Sequence, residues 1–378
     1  MRPQLKRKKR IVVKVGSSAL VGDQNQLSAA RCRALAKEIS ALTESGIKVV
    51  LVSSGAIAAG MDRLGKTRKP HSIPQQQALA ATGQTALMHQ YEKAFAKYDL
   101  KVAQVLLTLD DLSNRRRFLN ARHTLYQLFK MGVIPIVNEN DTVAVHEIKV
   151  GDNDNLAALI TNLIEADLMI NLSDVDGVFD SDPRLNPAAQ RISELEKIHG
   201  WVKSKASDTL RHGSTGGMIT KLEAAEKAQR FGVATVIANG KQRNVLKKII
   251  SGQDIGTLIL PKEEQERLSC KKYWLAYNLK PQGALIVDRG ARTALVKKGR
   301  SLLPSGVKAI VGNFQQGDPI DIKVKGGEAF ARGLTSYSAA ELDQIKGQKT
   351  SEIEKILGYK YFDEVIHRND MVLIPEDS

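Results

Sequence analysis

The chain has 378 residues, of which 42% are hydrophobic and 5% aromatic, and it carries a formal net charge of +15. Its length is sufficient for a buried core and favours two or three domains, and its composition excludes fibrous and disordered proteins. Because the sequence contains no long apolar run and no signal-peptide core, we expect a cytoplasmic protein without a membrane span.

Part of the positive charge is concentrated at the N-terminus. The first ten positions contain no acid and include Arg2, Lys6, Arg7, Lys8, Lys9 and Arg10. Such a cluster can bind nucleic-acid phosphates, but a short basic terminus is more often a solvated arm. We therefore expect residues 1–10 to form a frayed basic tail.

Residues 11–260 alternate short apolar runs with longer helical stretches. Strands are predicted at 11–15, 48–53, 102–107, 133–138, 168–173 and 233–238. A helix is predicted over 27–46, and a second over 71–98, where Gly83 weakens the pattern. The alternation predicts an α/β fold with an open, mainly parallel sheet between helix layers.

The pattern of apolar and charged residues changes after Pro261. Residues 261–280 are charged and read as a helix or linker, and short apolar runs broken by glycine follow from residue 281. These runs predict strands at 283–288, 292–299, 307–314, 319–327 and 328–334. The chain therefore ends in a small β-rich domain.

Small polar loops follow the carboxyl ends of the predicted strands, where open α/β sheets bind ligands. Lys14 lies within an apolar strand, and burial of its ammonium is costly unless it faces an anion or a carboxylate. The alternative is a strand-edge lysine that reaches solvent. Ser54 opens a helix whose free N–H groups can receive an anion, or it is a plain N-cap.

Polar residues accumulate over 138–155. Asn138, Glu139, Asn140 and Asp141 follow a strand, and Asp152 to Asn155 open a helix. Turns need fewer such residues, so the segment indicates a pocket for a zwitterion or for a hard cation such as Mg²⁺. A second acidic segment presents the same choice between a metal site and loop-building carboxylates, with Asp174, Asp176, Asp180 and Asp182.

The segment GSTGGMITK, residues 213–221, precedes a helical stretch. Its glycines allow backbone N–H groups to close on a polyphosphate at the helix N-terminus, although a structural turn explains them equally well. Lys221 falls at the end of this segment. If Lys221 and Lys14 lie in one site, a phosphate-binding loop is a better interpretation of this segment than a structural turn.

Together these segments resemble the amino acid kinase family, and within it the glutamate 5-kinases that carry a C-terminal PUA domain. The matching motifs include VKVGSSAL, VSSGAIAAG, VIPIVNENDTV, EIKVGDNDNLAAL, SDVDGVFDSDPR and TGGMITKL. Ser17 and Ser173 stand where the family usually has threonine. The resemblance covers nearly the whole chain and implies a kinase domain over 11–260, a linker over 261–280, and a PUA domain with a C-terminal extension over 281–378.

The resemblance implies transfer of the ATP γ-phosphoryl group to the side-chain carboxylate of L-glutamate, the first step of proline biosynthesis, with feedback inhibition by proline. It implies that Lys14 and Lys221 flank the phosphates, that Asp154 holds both lysines, and that Mg²⁺ accompanies ATP without assigned protein ligands. The implied glutamate-binding residues are Ser54, Asn138, Asp141, Asp152 and Asn153. The implied ATP-binding residues are Lys14, Gly16, Ser17, Ser173, Asp174, Thr215, Gly216, Gly217, Met218, Ile219, Thr220 and Lys221, with backbone donors from Gly16 and Ser17.

Two other functions compete with this interpretation. Another amino acid kinase would phosphorylate N-acetylglutamate, aspartate or a nucleotide, but Asp141 and Asp152 suit a free ammonium better than an acetylated amine. An RNA-binding PUA protein would also fit the basic N-terminus, yet basic and acidic residues are nearly balanced over 261–378. A homo-oligomer, either a dimer or a tetramer, is expected from the resemblance.

Overall fold

The computed structural model describes residues 2–22, 26–68, 70, 72–144, 152–198, 217–261 and 280–374. The chain divides into two compact units, Met1–Arg267 and Leu268–Ser378. Each unit has a sheet and a hydrophobic core of its own.

The first unit is organised around an eight-stranded sheet. Its strands are β1 (Arg10–Val15), β2 (Lys48–Ser53), β3 (Val102–Leu107), β4 (Ile134–Glu139), β5 (Leu168–Ser173), β6 (Glu194–Leu195), β7 (Ala234–Asn239) and β8 (Thr257–Ile259). They lie in the order β3-β4-β2-β1-β5-β7-β8-β6, and all neighbours are parallel except β7 and β8. The predicted α/β class and mainly parallel sheet are confirmed.

Helices cover both faces of this sheet. They are α1 (Ser17–Leu20), α2 (Ala29–Glu44), α3 (Ala56–Arg63), α4 (Ile73–Ala96), α5 (Leu109–Ser113), α6 (Arg115–Lys130), α7 (Asp152–Leu163), α8 (Met218–Arg230) and α9 (Val245–Ile250). Ile11, Val13 and Val15 of β1 share a core with buried residues of α2, α4 and α9. Because side chains alternate along a strand, Lys14 points to the opposite face.

The backbones of helices α3 and α4 are in contact at Gly83. A Cβ at Gly83 would lie 1.9 Å from the carbonyl oxygen of Ala56 and 2.3 Å from the backbone nitrogen of Gly60. Gly83 therefore does more than weaken α4, because its missing side chain lets the two helix backbones come into contact.

The N-terminal segment corrects the expectation of a frayed tail. Arg2–Arg7 form a 3-10 helix in which Arg2 and Leu5 are buried. The Arg2 guanidinium donates hydrogen bonds to the carbonyl oxygens of Ser193 at 2.7 Å and Gly256 at 3.0 Å, and it pairs with Asp254 at 2.9 Å. The planar fork of arginine suits this set of oxygens, so residues 2–7 pack beside β6 and β8 instead of fraying.

The second unit contains a five-stranded sheet in the order β10-β9-β11-β12-β13, in which only β9 and β11 are parallel. Its elements are β9 (Gly283–Val287), α10 (Arg289–Lys298), β10 (Val307–Gly312), β11 (Pro319–Val324), β12 (Ala329–Leu334), α11 (Ala339–Ile345), α12 (Ile353–Leu357) and β13 (Met371–Leu373). The strand predicted at 292–299 is wrong, because this segment lies in α10. Asp288 caps that helix by accepting a hydrogen bond from the Ala291 N–H at 2.7 Å.

Candidate active site

Two lysines converge on one carboxylate at the carboxyl end of the first sheet. Lys14 Nζ on β1 lies 2.5 Å from Asp154 Oδ1, and Lys221 Nζ on α8 lies 3.4 Å from Asp154 Oδ2. Asp154 belongs to the first turn of α7. The three side chains are buried, with relative exposures of 4% for Lys14, 1% for Asp154 and 8% for Lys221. Lys14 thus faces a carboxylate, and the solvent-reaching alternative does not hold.

Two neutral donors complete the environment of Asp154. Asn171 Nδ2 donates to Oδ1 at 2.9 Å, and Thr220 Oγ1 donates to Oδ2 at 2.7 Å. Each carboxylate oxygen therefore receives one ammonium and one neutral donor, which fixes the plane of the carboxylate. Asn171 is not among the site residues predicted from the sequence. Its only signal was an amide inside the apolar strand LMINLS, and in the sheet Asn171 is the register partner of Lys14.

The pKa values follow from burial and from the mutual proximity of these charges. Burial alone would raise the pKa of Asp154, but the ammonium groups of Lys14 and Lys221 outweigh it and lower the pKa to about 2. Burial lowers the pKa of Lys14, and the Asp154 carboxylate opposes this effect. Asp154 is therefore ionised at neutral pH, and it favours the charged form of Lys14.

The described residues among the predicted ATP-binding set lie on or next to the elements that carry the triad, or at the end of the neighbouring strand β5. Ser17 opens α1, and Gly217 is the N-cap of α8, whose first turn contains Met218, Ile219, Thr220 and Lys221. Ser173 ends β5 and donates to Asp174 Oδ1 at 3.1 Å. Thr215 and Gly216 lie outside the described residues.

Gly16 departs from its expected role. Its N–H donates to the Leu172 carbonyl at 3.0 Å and continues the strand pairing, so the expectation that this N–H serves a phosphate is wrong. Gly16 nevertheless lies next to the triad, because a Cβ at this position would be 3.7 Å from Lys14 Nζ. The absence of a side chain at Gly16 leaves space beside the Lys14 ammonium.

Three of the predicted substrate residues, Ser54, Asn138 and Asn153, form a hydrogen-bonded group beside the triad. Asn153 Nδ2 donates to Ser54 Oγ and to Asn138 Oδ1, at 3.0 Å in both cases. Asn138 Nδ2 donates to Gln84 Oε1 of α4 at 2.8 Å. Gln84 is not among the predicted site residues, because a glutamine in a helix has no distinguishing pattern. Asp141 lies half-buried in the turn after β4, and the side chain of Asp152 is outside the described residues.

The second acidic segment mainly builds loops. Asp176 accepts hydrogen bonds from Asn239 Nδ2 at 3.1 Å and Gln242 Nε2 at 3.0 Å, while Asp182 pairs with Arg184 at 2.8 Å. Within the described ranges, no group of three or more His, Cys, Asp or Glu side chains is placed to hold a metal ion. The same ranges contain no helix with the length and hydropathy needed to cross a bilayer.

The site lies inside a recognised domain. The family model described as "Amino acid kinase family" matches residues 9–239, and the "PUA domain" model matches residues 283–357.

The chain belongs to the amino acid kinase family.

Full-length relatives agree with this amino acid kinase assignment, which confirms the resemblance predicted from the motifs. The protein named glutamate 5-kinase in Geobacter metallireducens is 51% identical over 370 residues, covering 98% of this chain and 99% of the relative. The glutamate 5-kinase of Pelobacter propionicus is 49% identical over 375 residues, covering 99% and 100%. Among solved structures, the UMP kinase of Bacillus anthracis is 19% identical with a TM-score of 0.46 and covers 67% of this chain and 96% of that one. As an amino acid kinase, the protein is a phosphotransferase with ATP as its co-substrate.

Proposed function

We propose that this kinase transfers the γ-phosphoryl group of ATP to the side-chain carboxylate of L-glutamate and forms L-glutamyl 5-phosphate. The observation that carries the proposal is the placement of two lysines, from opposite ends of the domain sequence, on the two oxygens of one buried carboxylate. The relatives that match along nearly the whole chain and are named glutamate 5-kinase support the choice of substrate.

The chemistry requires charge neutralisation more than proton transfer. A glutamate side chain with a pKa of about 4.3 is already ionised at neutral pH, so the nucleophile needs no general base. The main barrier is the approach of one anion to another and the charge on the transferred group. An ammonium group carries three N–H donors, so a contact with Asp154 does not prevent either Lys14 or Lys221 from binding phosphate oxygens. Asp154 holds the two lysines apart and in place.

Magnesium is proposed to enter the site together with ATP. Both Asp154 oxygens are engaged by the lysines, Asn171 and Thr220, so this carboxylate is a poor ligand for a second cation. The described residues also lack a carboxylate cluster of the kind that binds a metal. Mg²⁺ commonly retains water and binds through substrate phosphates, and the proposed transfer requires no protein-bound ion.

Glutamate is proposed to bind where Ser54, Asn138 and Asn153 meet, and its α-ammonium is proposed to pair with Asp141 and Asp152. A free ammonium distinguishes glutamate from N-acetylglutamate, and side-chain length distinguishes it from aspartate. The product would enter proline biosynthesis, and we propose that proline inhibits the enzyme by competing near this pocket. A cytoplasmic homo-oligomer, a dimer or a tetramer, remains part of the proposal.

The test is a hydroxamate assay with ATP, Mg²⁺ and hydroxylamine, in which the acyl phosphate is trapped as it forms. Glutamate, N-acetylglutamate and aspartate are compared as acceptors, each with and without proline. We expect turnover with glutamate and its suppression by proline. Faster turnover with N-acetylglutamate would assign the protein to a different amino acid kinase reaction.

A further inference from the structure

A row of side-chain amides leads from helix α4 to the proposed glutamate pocket. Gln84 Oε1 accepts a hydrogen bond from Asn138 Nδ2 at 2.8 Å, and Asn138 Oδ1 accepts one from Asn153 Nδ2 at 3.0 Å. Asn153 Nδ2 also donates to Ser54 Oγ at 3.0 Å. The row therefore connects a residue of α4 to the first turn of α7.

The backbone determines the direction of donation along this row. An isolated amide can be turned by 180° at little cost, because its oxygen and nitrogen have the same shape. Here the N–H of Glu139, which can only donate, contacts Asn138 Oδ1 at 2.9 Å. The Asn138 oxygen must therefore face Glu139 and Asn153, and its NH₂ group must face Gln84. Gln84 meets this requirement because it presents an oxygen.

The same direction fixes what Asn153 offers to a ligand. Both hydrogens of its NH₂ group are used, one by Ser54 and one by Asn138. Its remaining polar atom is Oδ1, which is shielded from solvent and has no hydrogen-bond partner among the described residues. A buried acceptor in this state favours a donor such as an ammonium group. A reversed Asn153 would present N–H groups and would repel the same ligand.

Gln84 is held firmly enough to reinforce this orientation of the Asn138 amide. It is 9% exposed and follows Gly83, the point where α4 contacts α3. Its NH₂ group lies 3.4 Å from Gln104 Oε1 on β3, a longer and more exposed contact than the one to Asn138. The stronger of its two contacts is therefore the one directed at the pocket.

We propose that Gln84 is a positioning residue that, together with the Glu139 N–H, holds the amide orientation of Asn138 and Asn153 and so selects the free α-ammonium of an amino acid substrate. This rests on the proposed function in one respect, that the acceptor is glutamate. Gln84 itself does not contact the reacting groups. Its effect should therefore be seen in substrate binding and selectivity before turnover.

Gln84→Met tests the proposal, since methionine has similar length and helix propensity but offers no strong acceptor. We expect the KM for glutamate to rise about ten-fold or more, the scale of a lost hydrogen bond to a charged group, while the KM for ATP is unchanged. The preference for glutamate over glutarate, which lacks the α-ammonium, should fall by a similar factor. Gln84→Glu keeps an acceptor and should restore both quantities toward the parent values.

Gln90→Met on the same helix is the matched control and should leave both KM values unchanged. Gln84→Leu replaces Gln84→Met if thermal denaturation shows that the methionine variant is unfolded at the assay temperature. An unchanged KM for glutamate, an unchanged glutamate-to-glutarate ratio, or equal behaviour of Gln84→Glu and Gln84→Met would overturn the proposal. Failure of the parent enzyme to phosphorylate glutamate would instead overturn the proposed function.

Discussion

Lys14 Nζ lies 2.5 Å from Asp154 Oδ1, and the pair joins the first strand of the sheet to the first turn of α7. Lys221 binds the other oxygen, so two cations share one anion in a nearly dry environment. Asp154 thereby holds the two ammonium groups at fixed positions at the carboxyl end of the sheet.

Replacement of Lys221 by alanine should abolish transfer. We expect hydroxamate formation to fall roughly 100-fold or more, the usual effect of removing a group that stabilises charge in the transition state. Lys37→Ala, at an exposed position of α2, serves as the control for loss of a lysine as such. Circular dichroism should show both variants folded, and retained turnover in Lys221→Ala would remove Lys221 from the mechanism.

The acid stability of the kinase should depend on Asp154. Its pKa is about 2 in the folded protein against an ordinary 3.8, so the unfolded chain binds the proton more tightly. The resulting stabilisation, about 2 kcal/mol, is complete above pH 4 and is lost as the pH falls toward 2. Urea unfolding of the parent and of Asp154→Asn should give free energies of unfolding that converge over this range. A constant difference between them would contradict the assignment.

Asn171→Leu should reduce turnover without weakening substrate binding. The change removes the neutral donor to Asp154 Oδ1 and leaves Lys14 as the remaining described donor to that oxygen. We expect kcat to fall about two- to ten-fold, in line with the net value of one hydrogen bond, with KM for glutamate near the parent value. Steady-state kinetics measures both constants. A rise in KM at constant kcat would place Asn171 on the substrate side instead.

Gly83→Ala should destabilise the kinase domain, because the new Cβ would lie 1.9 Å from the Ala56 carbonyl oxygen. This oxygen and the Gly60 nitrogen next to it are backbone atoms of α3, which cannot rotate away. Helices α3 and α4 must therefore separate, at an expected cost of about 1–3 kcal/mol. Thr85→Ala, at an exposed position of the same helix, should be neutral or slightly stabilising. Thermal unfolding of the two variants beside the parent measures the difference, and equal melting temperatures would show that the helices can move apart freely.

The central sheet can be predicted from sequence because its strands are continuous apolar runs with distinct ends. The short strands β6 and β8 cannot, since two or three residues carry no periodicity. Segment 292–299 shows a different failure, in which the apolar spacing of a short helix resembles that of a strand and the Asp288 cap decides between them.

The charged members of the site are also predictable, because Lys14 in an apolar strand is costly without a partner. The neutral residues that hydrogen-bond to the site residues are not predictable in this way. Asn171 and Gln84 have ordinary positions in a strand and a helix, and only the fold shows that one meets Asp154 and the other meets Asn138. Hydrogen bonds between residues far apart in sequence leave no local pattern.

The hydrogen bonds of Arg2 can form only late in the synthesis of the kinase domain. Its oxygen partners at Gln253, Ile255 and Gly256 are separated from it by 251 to 254 positions. At ribosomal rates of about 5–20 residues per second, those partners emerge roughly 12–50 seconds after Arg2. The turn that contains Arg2 therefore lacks these partners until they have been synthesised. The hydrogen bonds of Arg2 to the segment before β8 can form only after nearly the whole kinase domain has been translated.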